Sequence, residues 1–272
     1  MELANRLVAE FAGYGRTLVA FSGGVDSSVA LAGAARALGP DRVAAVTAVS
    51  PAVPAAEVAA AREFCVDLGV VHHSVSTREL DVAGYRDNGP TRCYFCKSML
   101  LDAAVSLADD LGFDSVATGT NASDVAAGFR PGIRAAAERG ARTPLADAGL
   151  DKQAVRDIAR QWGLSTWDKP AAACLSSRIA YGVGITPSRL ARVERAESAA
   201  RRILAGVHNL RVRDLGDLVR LEVDAHAVAL AQADPAVPKA IEDAGFAGVP
   251  FVVEAFRSGS MNELLPDPDR WR

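Results

Sequence analysis

Through the first 120 positions, short apolar runs alternate with longer stretches in which apolar residues recur at every third or fourth place. The runs "RTLVAF" (16–21), "DRVAAVTAV" (41–49), "VVHHSVS" (70–76) and "DSVATGT" (114–120) have the length of strands. Between them, "SSVALAGAARALG" (27–39), "PAAEVAAAREFCVDLG" (54–69) and "YFCKSMLLDAAVSLADDLG" (94–112) carry helical spacing, the second ended by Gly69 where a left-handed cap is favoured. Strand and helix in alternation predict parallel βαβ units, one sheet with helices on both faces, and ligands at the carboxyl ends of the strands.

The pattern then loosens. "AAGFRPGIRAAAERGARTPLADAGL" (126–150) has no clean period and reads as a loop-rich connection with one short helix. "DKQAVRDIARQWGL" (151–164) is a capped amphipathic helix, and "TPSRLARVERAESAARRIL" (186–204) begins another with Thr186 as N-cap and Pro187 at the first helical position. Beyond it, "NLRVRD" and "LVRLEV" flank "LGD" as an antiparallel hairpin, followed by helical "AHAVALAQA" and "KAIEDAG" and a last strand, "FVVEAF". The expected organisation is an α/β parallel-sheet domain over residues 1–186 and a smaller C-terminal α+β domain over 187–272.

Composition narrows the partners. A net charge of −3 gives no global attraction to nucleic acid. The opening stretch lacks a basic region followed by a long apolar core, and no apolar run approaches the roughly 20 residues of a bilayer span. The expectation is a cytoplasmic protein with no membrane partner. Four cysteines without a secretory leader argue against a disulfide scaffold. Cys65 sits within a helical pattern as a small buried residue, whereas Cys93 and Cys96 form a CxxC, a spacing used for redox or metal chemistry in a reducing compartment.

"SGGVDSS" (Ser22–Ser28) joins the first strand to the first of the patterned helices. Gly23 and Gly24 allow a tight turn whose N–H groups, with the helix N-terminus and the hydroxyls of Ser22, Ser27 and Ser28, suit a pyrophosphate. Asp26 belongs in such a cradle if Mg²⁺ bridges it to the phosphates. The GK[ST] ending of a Walker loop is absent, which argues against γ-phosphate transfer. "TGTNASD" falls at the end of the fourth strand and offers Gly119, Thr120 and Asp124 to an adenylate, although a generic turn would look the same.

The motif resembles the PP-loop of the ATP pyrophosphatases, with their adenine nucleotide alpha hydrolase-like fold. These enzymes cleave ATP to AMP and pyrophosphate while adenylating a substrate oxygen. Together with "NGPTRCYFCK", "FRPGIRAAAERGARTPL", "KPAAACLSSRIAYGVGIT", "LRVRDLGDLVRLEV" and "FRSGSMN", the chain resembles over nearly its whole length the LarE family of ATP-dependent sulfur transferases. That resemblance implies conversion of the two carboxylates of a pyridinium mononucleotide to thiocarboxylates during nickel-pincer nucleotide synthesis. It also implies ATP and Mg²⁺ as cofactors, a small mononucleotide substrate and a ring-like homo-oligomer.

One branch of the family gives up sulfur from its own cysteine, at the position of Ala173 here. The other holds a [4Fe-4S] cluster on three cysteines, which correspond to Cys93, Cys96 and Cys174 and which leave one iron open for sulfide from an external source. Three thiols match the second branch. Cys174 as a sacrificial donor, a redox pair, zinc with His72 or His73 as fourth ligand, and inert thiols are the other readings.

Arg211 and Arg213 share one face of a strand and, with Arg178, suit a substrate phosphate; a solvated charged face is the plain alternative. Glu194, Glu197 and Glu222 are the acidic residues expected near the substrate, and Arg257 a C-terminal contact. There the family's acidic residue is replaced by Val252, with Glu254 as a substitute. His208 and His226 read as surface residues. Three competing functions remain open: a PP-loop tRNA thiolation enzyme, a nucleotide sensor without turnover, and an amidotransferase-type synthetase.

Overall fold

A computed structural model describes residues 2–128, 130–170 and 174–265. In chain order the helices are α1 (Glu2–Glu10), α2 (Val25–Leu38), α3 (Ala55–Leu68), α4 (Ala83–Arg86), α5 (Arg92–Leu111), α6 (Ala122–Ala126), α7 (Pro131–Glu138), α8 (Pro144–Asp147), α9 (Lys152–Gln161), α10 (Pro187–Ile203), α11 (Val228–Ala233) and α12 (Ala236–Ile241). The strands are β1 (Thr17–Ala20), β2 (Val43–Val49), β3 (Val71–Ser76), β4 (Ser115–Thr118), β5 (Leu210–Asp214), β6 (Val219–Val223) and β7 (Phe251–Ala255).

The strands β1 to β4 form one all-parallel sheet in the order β3-β2-β1-β4, as the strand–helix alternation requires. Its central strands are buried on both sides. Val19 and Ala45 pack with Leu7, Phe11, Val29 and Phe64 on one face. Leu18, Ala20, Ala44 and Val46 pack with Leu101, Ala104 and Val116 on the other. This parity puts α1, α2 and α3 on one face and α5 on the other, which leaves the loop after β1 at the carboxyl edge of the sheet. The free side of β4 is covered by the chain at Arg142, whose N–H donates to Val116 and whose carbonyl accepts from Thr118.

A second sheet has the order β5-β6-β7. β5 and β6 are the expected antiparallel hairpin, while β7 returns parallel to β6 after α11 and α12. The fold is therefore α/β with a smaller mixed-sheet part. Contacts divide the described residues into one compact unit of 2–79 and 93–170 and a second of 80–92 and 174–265. Residues 174–186, placed by the composition change at Pro187 with the first domain, pack in the second unit. The buried Asn88 accounts for this, since its Nδ2 donates to the carbonyls of Ala180 (2.7 Å) and Val183 (2.9 Å). The region 126–150 is also more helical than its composition implies, because Pro131 and Pro144 each start a short helix at its first turn.

Candidate functional site

The loop after β1 is shaped by its own hydroxyls. Gly23 takes φ +70°, open to glycine at little cost, and Gly24 caps α2. Ser27 and Ser28 each donate a hydroxyl hydrogen bond of 3.0 Å to the Gly24 carbonyl, and Ser27 Oγ accepts from Ser22 N at 3.2 Å. Ser28 is fully buried, so its hydroxyl braces the loop from inside, whereas Ser22 is exposed and Gly24 and Asp26 are half-buried. The end of β4 lies hard against this turn: a Cβ added at Gly119 would stand 2.6 Å from Ser27 N and 2.8 Å from Ser27 Cα. Gly119 is thus glycine because two backbones meet there. Thr120 shares a 3.1 Å hydrogen bond with Thr118, and Asp124 forms a reciprocal cap with Asn121 at the start of α6.

Four residues outside the motif complete the surroundings. Asn121 Nδ2 donates to Asp26 Oδ1 at 3.0 Å, and the Lys152 ammonium pairs with Asp26 Oδ2. Lys169 Nζ donates to the Gly23 carbonyl at 3.0 Å and to Glu57 Oε2 at 2.7 Å. No local pattern marks Asn121, Lys152, Lys169 or Glu57, since the fold brings them to the loop from four other segments. The Asp26 carboxylate thus meets a cation on one oxygen and a neutral amide on the other, and as a hard oxygen donor it is of the kind Mg²⁺ takes.

Cys93 and Cys96 occupy the first turn of α5, where three-residue spacing puts them on one helix face. Cys93 is exposed and Cys96 half-buried. The turn is pinned by Tyr94, whose hydroxyl donates to Glu138 Oε2 at 2.5 Å and whose ring lies under Arg134 at 4.4 Å. Burial lowers the pKa of Lys97, with the adjacent Cys96 opposing the shift. Cys65 differs sharply: it is fully buried and its thiol is pushed up to about 12 by burial, which makes it chemically quiet.

In the second unit, Cys174 caps a short 3-10 turn, Leu175–Arg178. Its carbonyl accepts from Ser177 Oγ (2.7 Å) and Arg178 Nη1 (3.0 Å), and its side chain is half-buried. Ala173 lies outside the described residues. Among the described residues no group of three or more His, Cys, Asp or Glu side chains is gathered closely enough to hold a metal ion. The donor chemistry still fits an iron–sulfur cluster in kind, since three soft, accessible thiols are available and the inert Cys65 is not among them.

The arginines are not a solvated face. Arg211 and Arg213 are 6% and 7% exposed, on a strand buried at every residue, and Arg178, at the end of the 3-10 turn, is 3% exposed. Arg178 is paired with Glu197 at 2.8 Å, and Arg213 with Glu222 at 2.7 Å, while Ser260 Oγ donates to the other oxygen of Glu222. Burial, reinforced by the charge of Arg178, pulls the Arg211 guanidinium down to about 10. Arg257 is exposed and paired with Glu263 at 2.9 Å; Glu254 pairs with Arg220 at 3.3 Å. His72 shares a 2.8 Å hydrogen bond with Thr47 inside the first sheet.

Residues 5–89 match the model of the NAD synthase family. The chain is 40% identical over 253 residues to an uncharacterized protein of Synechocystis, covering 92% of this chain and 93% of that one. It is 33% identical over 260 residues to the pyridinium-3,5-bisthiocarboxylic acid mononucleotide synthase of Lactiplantibacillus plantarum, covering 95% and 93%. An uncharacterized protein of Methanocaldococcus jannaschii is 29% identical over 171 residues, or 63% of this chain and 66% of that one.

Proposed function

The chain belongs to the LarE family of PP-loop enzymes, and from that premise we propose that it is an ATP-dependent sulfur transferase acting on a pyridinium-dicarboxylate mononucleotide in nickel-pincer nucleotide synthesis. The observation that carries this reading is likeness over 95% of the chain to a bisthiocarboxylic acid mononucleotide synthase, with the Ser22–Ser28 loop intact.

The chemistry has two displacements. A substrate carboxylate oxygen attacks the α-phosphorus of ATP and pyrophosphate leaves. A sulfur nucleophile then attacks the acyl carbon, the C–O bond breaks, and that oxygen departs with AMP. Ser22, Gly23, Gly24 and Ser27 hold the departing pyrophosphate, with Ser28 bracing the loop behind them. Asp26 would hold Mg²⁺ there, and Gly119, Thr120 and Asp124 border the nucleotide. Arg178, Arg211 and Arg213 receive the substrate phosphate. The three buried guanidiniums exceed the carboxylates of Glu197 and Glu222 by one positive charge, which favours an anionic ligand.

Cys93, Cys96 and Cys174 would hold a [4Fe-4S] cluster. When bound, such a cluster supplies an open iron able to carry an external sulfide. The same reading makes the enzyme a cytoplasmic homo-oligomer fed by sulfide, with no nucleic-acid or membrane partner. None of the described helices is long and apolar enough to cross a membrane.

The test is anaerobic incubation of the reconstituted protein with ATP, Mg²⁺, sulfide and the pyridinium-dicarboxylate mononucleotide. AMP and pyrophosphate should form only when the mononucleotide is present, and its mass should show oxygen replaced by sulfur. Asp26→Asn should stop both. AMP formation without sulfur in the product, or a requirement for tRNA, would sink the proposal. Iron and acid-labile sulfide, counted on the same sample and on Cys93→Ala, Cys96→Ala and Cys174→Ala, test the cluster separately.

A further inference from the structure

The phosphate loop carries its own cations, and each is already in use. Lys152 is paired with Asp26, and Lys169 with Glu57. The two lysines and two carboxylates cancel, so these four side chains offer no surplus positive charge to a triphosphate. The pairs are not equivalent. Lys169 is the less exposed and is tied to two acceptors, Glu57 and the Gly23 carbonyl. The Lys152 side chain is 42% exposed and pairs with the one carboxylate inside the loop motif.

The frame around Lys152 is built to aim it. Asp151 caps α9 by accepting from Ala154 N at 2.8 Å, and Lys152 N donates to Ser123 Oγ at 3.1 Å, which fixes the start of α9 to α6. The residue that caps α6, Asn121, holds the other oxygen of Asp26. One carboxylate oxygen therefore faces a neutral amide and the other an ammonium.

We infer that Lys152 is a displaceable counter-ion of the phosphate loop, paired with Asp26 until a divalent cation takes that carboxylate, so that metal entry frees the ammonium for the incoming phosphates. The inference rests on the nucleotide-binding reading of the loop and adds a residue to it. Without metal, Lys152 masks the Asp26 charge that would otherwise repel a phosphate. With metal, the net charge of the site rises by the ion's two; the ion takes over the balancing of Asp26, and the Lys152 ammonium is released to meet a phosphate.

The two roles give effects of opposite sign. Lys152→Met removes the competitor for Asp26, so Mn²⁺ alone, measured by electron paramagnetic resonance, should bind roughly threefold to tenfold more tightly, the range expected of a partly exposed ion pair. The same change leaves Asp26 bare, so α,β-methylene-ATP in the presence of a chelator should bind several-fold more weakly. Lys152→Arg, which keeps the charge, should stay near the wild type in both, and Asp26→Asn should lose Mn²⁺ binding whatever stands at 152. Mn²⁺ binding that is unchanged or weaker in Lys152→Met, or absent from wild type and variant alike, overturns the inference. So does equal weakening by Lys152→Arg, which would mark a packing role. Failure of the nucleotide-binding reading would show separately, as no binding of α,β-methylene-ATP to the wild type with Mg²⁺ present, and the Mn²⁺ comparison would keep its meaning.

Discussion

Gly119 illustrates how much one missing side chain can decide. A methyl group there would meet the backbone of Ser27, which cannot swing aside as a long side chain would. Gly119→Ala should cost about 1–3 kcal/mol as an overpacked contact and should also push the phosphate loop out of shape. The expected outcome is a modest fall in the urea midpoint with a much larger loss of nucleotide affinity; unchanged affinity would show that the contact does not shape the site. Arg213 and Glu222 are a different case, a pair buried together. Arg213→Met alone leaves buried Glu222 with Arg220 at 3.8 Å and the Ser260 hydroxyl and should cost up to about 3 kcal/mol, whereas Arg213→Met with Glu222→Met should cost less. Urea unfolding of both variants measures the difference, and equal losses would contradict it.

His72 sets a pH dependence. Burial, with Arg62 nearby, lowers its pKa, so the folded protein keeps it neutral where the unfolded chain takes up a proton. Stability is therefore full above the ordinary histidine value of about 6.5 and falls as pH drops below it, until the lowered folded value is passed. His72→Gln should reduce the difference in urea midpoint between about pH 7.5 and about pH 5.5. An unaltered difference would mean that His72 does not carry it.

Among the elements, the sheet and the phosphate loop were the most legible. Apolar runs such as 16–21 and 41–49 are buried on both faces, and a strand–glycine–helix junction has few other uses. Two features were harder to read, for physical reasons. In β5 the alternation of Arg211 and Arg213 leaves a phosphate site and a wetted face both open, and the burial of the whole strand, with Arg213 paired to Glu222 from β6, appears only in the fold. Partners distant in sequence leave no local mark. The same applies to Lys152, Lys169 and Asn121, whose roles exist only once β4, α6 and α9 have come to the loop. The short helices α7 and α8 were concealed by a glycine- and arginine-rich composition, although Pro131 and Pro144 at their first turns were available as signals. The first turn of α5 makes a sharp chemical contrast with α3. Under native conditions iodoacetamide should modify Cys93 and spare Cys65, which should react only after unfolding. Equal native reactivity would contradict the burial of Cys65.

For the whole molecule, two compact units each carry part of the proposed chemistry. The first brings the phosphate loop and the Cys93/Cys96 pair, and the second brings Cys174 and the buried arginines. In the proposed function these parts serve one reaction, ATP cleavage that makes a carboxylate replaceable by sulfur. The distinguishing claim is that the sulfur comes from outside the chain, so that one protein molecule acts many times. The direct measurement is the number of thiocarboxylates formed per chain, under anaerobic conditions with excess mononucleotide, ATP and sulfide. The account expects several per chain, with Cys174 intact by mass spectrometry afterwards. A halt at one per chain, with Cys174 converted to dehydroalanine, would contradict it.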